Sequence, residues 1–295
     1  MTIDIMLPFW GDPALLYRTV DSVRAQTDDD WRLTVIDDAY PDSSVAAHFA
    51  ELDDPRIRYL RNERNVGIIE NFRTSVRLAT ADHLVVLGSD DLLLPDYVAV
   101  VRQAAGRHPD ASVIQPGVRV IDEHGDAALP LADRVKQRML RPDTRSGDVV
   151  LTGEEMATSL TRGNWLYWPS LVFRTEAIRR HDFRDDLPIV LDLAMLLDIA
   201  FDGGSLVVTD EVVFAYRRHT ASASQMAILD GSRFSDDRRF FEETAHRAAE
   251  KGWSSTARAA RARLLSRLHA LTELPTTLRR GTAEGRRAIW RHILR

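Results

Sequence analysis

The sequence predicts an α/β fold built on a doubly wound, mostly parallel sheet. Short apolar runs alternate with amphipathic helical periods from residue 3 to residue 115, and strict alternation implies crossover connections between parallel strands. Leu84 to Leu87 is non-polar at four successive positions, which suits a strand covered on both faces. Acidic and aromatic residues fall at the ends of the runs, where sheets of this kind bind ligands.

The elements follow in order. Ile3 to Leu7 reads as a strand, and Asp12-Pro13 as an N-cap with proline in the first turn. Leu16, Val20 and Val23 then give a helix to about Gln26. Leu33 to Ile36 is a second strand ending in Asp37-Asp38, Val45 to Leu52 a helix, and Ile57 to Leu60 a third strand. Asn65-Val66-Gly67 opens a helix with Ile69, Phe72, Val76 and Ala79 on one face. Leu84 to Leu87 follows, then a helix from Asp96 to Arg107 and a strand at Ser112 to Gln115. Asp126 to Arg145, rich in Pro, Asp and Arg, reads as a mobile loop. Glu154 to Arg162 reads as a helix stopped by Gly163, and Leu171 to Phe173 as a strand. Asp192 opens a helix closed by glycines. Leu206 to Val208 and Val212 to Tyr216 are late strands. Of Trp165, Tyr167 and Trp168, two are expected in the core.

Composition bounds the class. The chain has 295 residues, 44% hydrophobic and 28% charged, an ordinary globular mixture. It has no cysteine, which excludes disulfides, thiolate zinc sites and a cysteine nucleophile. No stretch has the apolar length of a membrane span. The opening MTIDIMLPFWGD has no basic region before an apolar core, so no secretory leader is expected and the cytoplasm is the expected compartment. Residues 251–295 carry eleven Lys and Arg against two Glu, net +9, leaving −14 on the first 250. That acidic body would repel a phosphate backbone, so nucleic acid is not an expected partner. The two lysines, Lys136 and Lys251, stand against 37 arginines, a bias read as GC-rich codon usage.

Asp90 and Asp91 surface where a buried strand ends. Two adjacent charges there are costly unless something cationic or hydrogen-bonding meets them. A divalent metal on a phosphate would do so; a solvated loop capping the next helix is the plain alternative. Pro8, Phe9 and Trp10 after the first strand and Asp37-Asp38 after the second reach the same edge, which favours a site. Asp192 at a helix start is by default an N-cap, and a general base is the sharper reading. Tyr216-Arg217-Arg218-His219 suits phosphate or metal contact, or is a solvated strand end.

These pieces together resemble the inverting family-two glycosyltransferases of the GT-A fold. LPFWGDPALLYRTVDSVRAQT is similar to that family's first strand, loop and helix. Asp37-Asp38 after TVI resembles its second strand end, and Asn65-Val66-Gly67 with Asn71 its next helix. GSDDLLLP resembles the metal motif, WPSLVFR the segment before the acceptor helix, and YRRHTASAS the closing motif. The likeness covers residues 3 to 224, with the family's first metal-motif aspartate replaced by Gly88 and the glutamate before the base by Leu191. It implies a GT-A domain over residues 1–225 and a basic helical extension over 226–295.

The resemblance also implies roles. Asp38 would accept a hydrogen bond from the base of a UDP- or dTDP-sugar, with Pro8, Phe9 and Trp10 lining the pocket and Asn65 at the nucleotide. Asp90 would lie near the ribose or metal. Asp91 would ligate Mg²⁺ or Mn²⁺, with His219 a further metal or phosphate contact. Asp192 would deprotonate an acceptor hydroxyl, giving inversion. The acceptor would be a glycan or lipid-linked glycan of bacterial polysaccharide, glycolipid or glycoconjugate synthesis. Two other readings stay open: a sugar-nucleotide nucleotidyltransferase and a non-catalytic nucleotide-binding partner subunit. The first expects a glycine-rich basic loop after strand one, and LPFWGDP has one glycine and no basic residue. For the tail, packing against the acidic core ranks ahead of a homodimer arm or a basic amphipathic surface on the inner face of the membrane.

Overall fold

The computed structural model describes residues 1–128, 130–218 and 228–294. The strands are β1 (Ile3–Phe9), β2 (Trp31–Asp37), β3 (Ile57–Arg61), β4 (His83–Val86), β5 (Leu92–Leu93), β6 (Val113–Ile121), β7 (Val149–Thr152), β8 (Val172–Arg174) and β9 (Ser205–Arg217). They form one sheet in the order β3-β2-β1-β4-β8-β6-β9-β5, with β7 also pairing β9. β3, β2, β1 and β4 are mutually parallel. Beyond β4 the sheet is mixed. β8 runs antiparallel to both β4 and β6, β6 and β9 are parallel, and β5 and β7 are antiparallel to β9. The two late strands expected after residue 205 are one continuous β9, its register shifted where it passes Gly117.

Helices α1 (Pro13–Arg24), α2 (Ser44–Glu51), α3 (Ile68–Leu78) and α4 (Tyr97–Arg107) connect the parallel strands. Asp12 caps α1 by accepting the Ala14 N–H at 2.8 Å, with Pro13 in the first turn. Along β1, Ile3, Ile5 and Leu7 face one core layer with Leu16 and Val20 of α1, while Met6 faces the other with Val76 of α3. That is the period-two alternation of a doubly covered strand. The second layer is completed by α6 (Gly153–Arg162) and α8 (Leu191–Phe201), whose Leu160, Leu196 and Leu197 are fully or almost fully buried.

The segment expected to be a mobile loop is instead partly helical: α5 (Leu131–Val135) runs into a π turn at Lys136–Leu140. After α7 (Thr175–Arg179) and α8 come α9 (Ser232–Glu250), α10 (Ser254–Ala262), α11 (Leu264–Arg280) and α12 (Ala283–Leu294). The basic extension divides in two. Phe240, Phe241 and Ala248 of α9 and Ala257 and Ala260 of α10 belong to the main core. Trp253 stacks on Phe201 of α8 at 5.0 Å, and Arg247 bridges Asp198 at 2.6 Å. Ile228, Phe234, Ala270 and Ile289 form a separate small core under α11 and α12. Among the described residues no helix is long and apolar enough to cross a membrane.

Candidate active site

The edge where β1 and β2 end is braced by carboxylates. Asp37, fully buried, accepts the Tyr40 N–H at 2.6 Å, Arg61 Nη1 at 3.1 Å and the Tyr59 hydroxyl. Asp38, 2% exposed, accepts Asn62 Nδ2 at 2.8 Å, the Val66 N–H at 2.8 Å and the Gly67 N–H at 2.9 Å. Gly67 has φ +84°, a conformation that favours glycine. It turns the loop so that this N–H faces Asp38, while Asn65, exposed, takes the same N–H on its own Oδ1 at 3.1 Å. Phe9 departs from the expected pocket lining: it is 0% exposed, in the core beneath Tyr40 at 5.1 Å. Apolar burial wins there because β1 alternates and Phe9 falls on the inward phase. Trp10 is presented instead, 60% exposed and edge-on to Tyr40, with Pro8 half-buried before it.

The turn after β4 comes next. A Cβ built on Gly11, in the loop after β1, would lie 4.0 Å from Ser89 Oγ, so the two loops adjoin. Asp90 is half-buried, and Asp91 is 1% exposed. Neither caps a helix, since β5 intervenes before α4. Asp91 Oδ1 accepts the Arg217 N–H at 2.7 Å, and its carbonyl accepts Thr19 Oγ1 at 2.8 Å. The Arg217 guanidinium donates to the carbonyls of Asp90, Asp122 and Glu123 at 2.7, 2.9 and 3.1 Å. Burial, and then the neighbouring Asp90, push the Asp91 carboxyl well above the usual carboxylate range, opposed by the Arg217 amide and charge. The expectation that Asp91 ligates the metal meets this geometry: its side chain is buried, and Asp90 is the half-exposed carboxylate. A Cβ on Gly88 would lie 2.5 Å from Asp91 Oδ2 and 3.1 Å from Asp90 Oδ1, so the two carboxylates close over the place a side chain would take.

Asp192 sits in the first turn of α8, after Val190 at the cap. It is therefore not an N-cap. It is half-buried, and its Oδ2 accepts Asn164 Nδ2 at 3.0 Å. Burial raises its carboxyl above the usual range, against the pull of the Leu193 amide, Lys136 and Asn164. Lys136 is a residue that sequence reasoning passed over. Its ammonium lies 5.4 Å from the Tyr167 ring centre. Burial and then Arg218 lower its pKa, while Asp133 and Asp192 act in the opposite direction. Asp133, 1% exposed, accepts the Tyr167 hydroxyl at 2.9 Å and Arg218 Nη2 at 2.7 Å. Tyr167 and Trp165 are core residues, as expected for two of the three aromatics; Trp168 is half-buried. The available signal for Lys136 was its rarity: one of two lysines, set among 37 arginines.

Tyr216 joins the two ends. Its ring lies 5.0 Å from that of Tyr167. Burial pushes its hydroxyl up to about 12, with Arg218 opposing and Asp91, Asp90 and Asp133 adding to the rise. Asp90, Asp91, Tyr216, Tyr167, Asp133, Lys136 and Asp192 thus form one electrostatically connected group, and Asp38 and Asn65 organise the loop after β3. His219 lies outside the described residues. Among the described residues no three His, Cys, Asp or Glu side chains form a metal cage. Mg²⁺ needs none, since it is commonly held by one or two carboxylates with phosphate oxygens and water. Asp90, half-exposed beside the buried Asp91, is a carboxylate that such a cation fits.

The description "Glycosyl transferase family 2" matches residues 4–160, more than half of the chain. The chain belongs to glycosyl transferase family 2. It is 33% identical over 126 residues to the uncharacterised protein y4gI of Sinorhizobium fredii, covering 42% of this chain and 14% of that protein. It is 28% identical over 127 residues to chondroitin synthase of Escherichia coli, covering 42% of this chain and 18% of that protein. The chain therefore matches only a small part of either relative's length. Among solved structures, S. aureus TarS 1–349 in complex with UDP-GlcNAc superposes with a TM-score of 0.67 at 13% identity, covering 95% of this chain and 79% of that one. The superposition shows the GT-A fold. The family-2 match spans β1 to α6, so it includes Asp38, Asp90 and Asp91, whereas Asp192 lies beyond it.

Proposed function

We propose that this family-2 chain is an inverting glycosyltransferase that moves a sugar from a UDP- or dTDP-sugar to the hydroxyl of a glycan or lipid-linked acceptor. The observation that carries the reading is Asp192: a half-buried carboxyl, raised by burial, electrostatically linked through Lys136, Tyr167 and Tyr216 to the Asp90–Asp91 turn. Supporting it, TarS of the same fold was solved with UDP-GlcNAc.

The base and ribose would lie between Trp10 and the loop that Asp38 organises, with Asn65 at its rim. Asp90 would hold Mg²⁺ or Mn²⁺ at the diphosphate, with Asp91 fixing the turn from behind. The cation, when bound, supplies positive charge where the leaving diphosphate gains negative charge. Asp192 takes the proton from the acceptor hydroxyl as that oxygen bonds to the anomeric carbon. The bond from that carbon to the diphosphate oxygen breaks, and the nucleoside diphosphate leaves. A single displacement inverts the configuration. Asn164 holds the carboxylate, and burial makes it a better base than a solvated aspartate.

The test is calorimetric titration of UDP, dTDP, GDP and CDP, each with Mn²⁺ and with EDTA. Binding of UDP or dTDP that requires the metal is the expected result. Absence of binding by all four overturns the proposal.

A further inference from the structure

The second half of the extension carries a feature that sugar transfer does not use. A cavity of about 920 Å³ opens between α9 and α12, within the range of ligand sites. Arg238, Arg239 and Glu242 line it from α9, and Arg286, Arg287 and Arg291 from α12. Glu242 pairs with Arg238 at 2.8 Å, and Arg239 approaches Asp186 and Asp236 at 3.5 and 3.7 Å. Among the described residues, Arg286 reaches only the Leu278 carbonyl, at 3.4 Å. Among the described residues, Arg287 and Arg291 have no carboxylate partner. Unpaired guanidiniums lining a concave site suit phosphate, which their planar forks can meet bidentately.

The apolar groups beside them narrow the ligand. Arg287, Trp290, Arg291 and Leu294 lie at i, i+3, i+4 and i+7 on one stripe of α12, with Trp290 44% and Leu294 73% exposed. On α11, Leu264, Leu268, Leu271 and Leu278 repeat at helical spacing and are 44 to 66% exposed. Six of the fourteen exposed large apolar side chains of the described residues therefore sit on these two helices, which also carry six arginines against two glutamates. A soluble phosphate compound would account for the arginines but leave the leucines and tryptophan in water. A second copy of the chain would cover the leucines but bring arginines against arginines. A bilayer containing anionic lipid accepts both, taking phosphate headgroups at the guanidiniums and the apolar stripe at the interface.

We propose that α11, α12 and the arginine groove form a peripheral docking surface for an anionic phospholipid membrane. Binding is independent of catalysis, so it is measured without substrate. The full chain is sedimented with phosphatidylcholine vesicles, alone or with one quarter phosphatidylglycerol. Binding to the anionic vesicles only, weakened by salt, is the expected result. Arg287→Gln with Arg291→Gln lowers the partition coefficient roughly 30-fold, from the usual contribution of a basic residue near a charged surface. Leu268→Gln with Leu271→Gln weakens binding while leaving the thermal midpoint in place, since both side chains are exposed. Equal binding to neutral vesicles, or to neither kind, overturns the proposal. So does a dimer in sedimentation velocity that Leu268→Gln with Leu271→Gln dissolves. Tight binding of inorganic polyphosphate that is insensitive to Trp290→Ser with Leu294→Ser, without vesicle binding, assigns the groove to a soluble anion instead.

Discussion

The carboxylates where β1 and β2 end are held differently from the one at the start of α8. On the β1–β2 side, Asp37 and Asp38 are buried and each collects three hydrogen bonds, from Tyr40, Tyr59 and Arg61 and from Asn62, Val66 and Gly67. On the α8 side, Asp192 holds one side-chain donor and the amide of its own neighbour, and burial raises its proton affinity. A carboxylate supplied with several donors is suited to bracing a loop. One with few donors gains a proton readily, and can therefore take one from a substrate. Asp91 goes further than Asp192: it has a single amide donor, and burial with a like charge beside it raises its carboxyl well above the usual range.

Substitutions that break this contrast are expected to differ in kind as well as size. Asp192→Asn lowers turnover roughly 10²–10⁴-fold, the usual worth of general-base catalysis, while calorimetric affinity for the nucleoside diphosphate is retained. Near-normal turnover would make Asp192 an ordinary helix-start residue. Asp38→Asn leaves a single acceptor oxygen for three donors and costs about 1–3 kcal/mol of stability for an amide left unpaired, measured by urea denaturation. Nucleotide affinity should fall with it, because the 62–67 loop loses its anchor.

Asp91→Asn has a smaller effect, on the pH dependence of stability. The folded Asp91 holds its proton more tightly than the unfolded residue, whose pKa is about 3.9. The folded state therefore binds more protons between that value and the raised one, and stability falls as pH rises through this window. Asp91→Asn removes that slope, as difference denaturation curves against pH would show. Lys136→Met is the mildest change. Lys136 lowers the Asp192 pKa, so its loss moves the acid limb of the turnover profile to higher pH; an unmoved limb would separate Lys136 from the base.

Much of this was legible in the chain. The β1-α1-β2 unit and the polar residues at its strand ends follow from period-two and period-3.6 patterns that local sequence carries, and Asp12-Pro13 marked the start of α1. The resemblance added the order of motifs and so the family. What was not legible depended on distant partners. Phe9 reads as a pocket residue until the sheet phase puts it inward. Asp91 reads as a ligand until the Arg217 amide, 126 residues away, arrives at its oxygen. The 126–145 segment reads as loop because its short helix is stabilised by contacts such as Asp133 with Tyr167 and Arg218, none adjacent in sequence. The division of the basic extension was hidden for the same reason, since its first half is helical by composition but joins the main core through distant partners such as Phe201, Asp198, Glu154 and Thr158.

Gly88 has a consequence for how this site can change. The space a side chain at 88 would take is already occupied. An aspartate at 88 would thrust its Cβ against Asp91 Oδ2 at 2.5 Å, and Asp91 is held from behind by the strand that carries Arg217. Restoring a third carboxylate requires that Asp91 yield first, and its retreat would itself disturb the turn that presents Asp90. Any side chain at 88 is therefore paid for in the position of Asp91 and, through it, of the turn that carries Asp90.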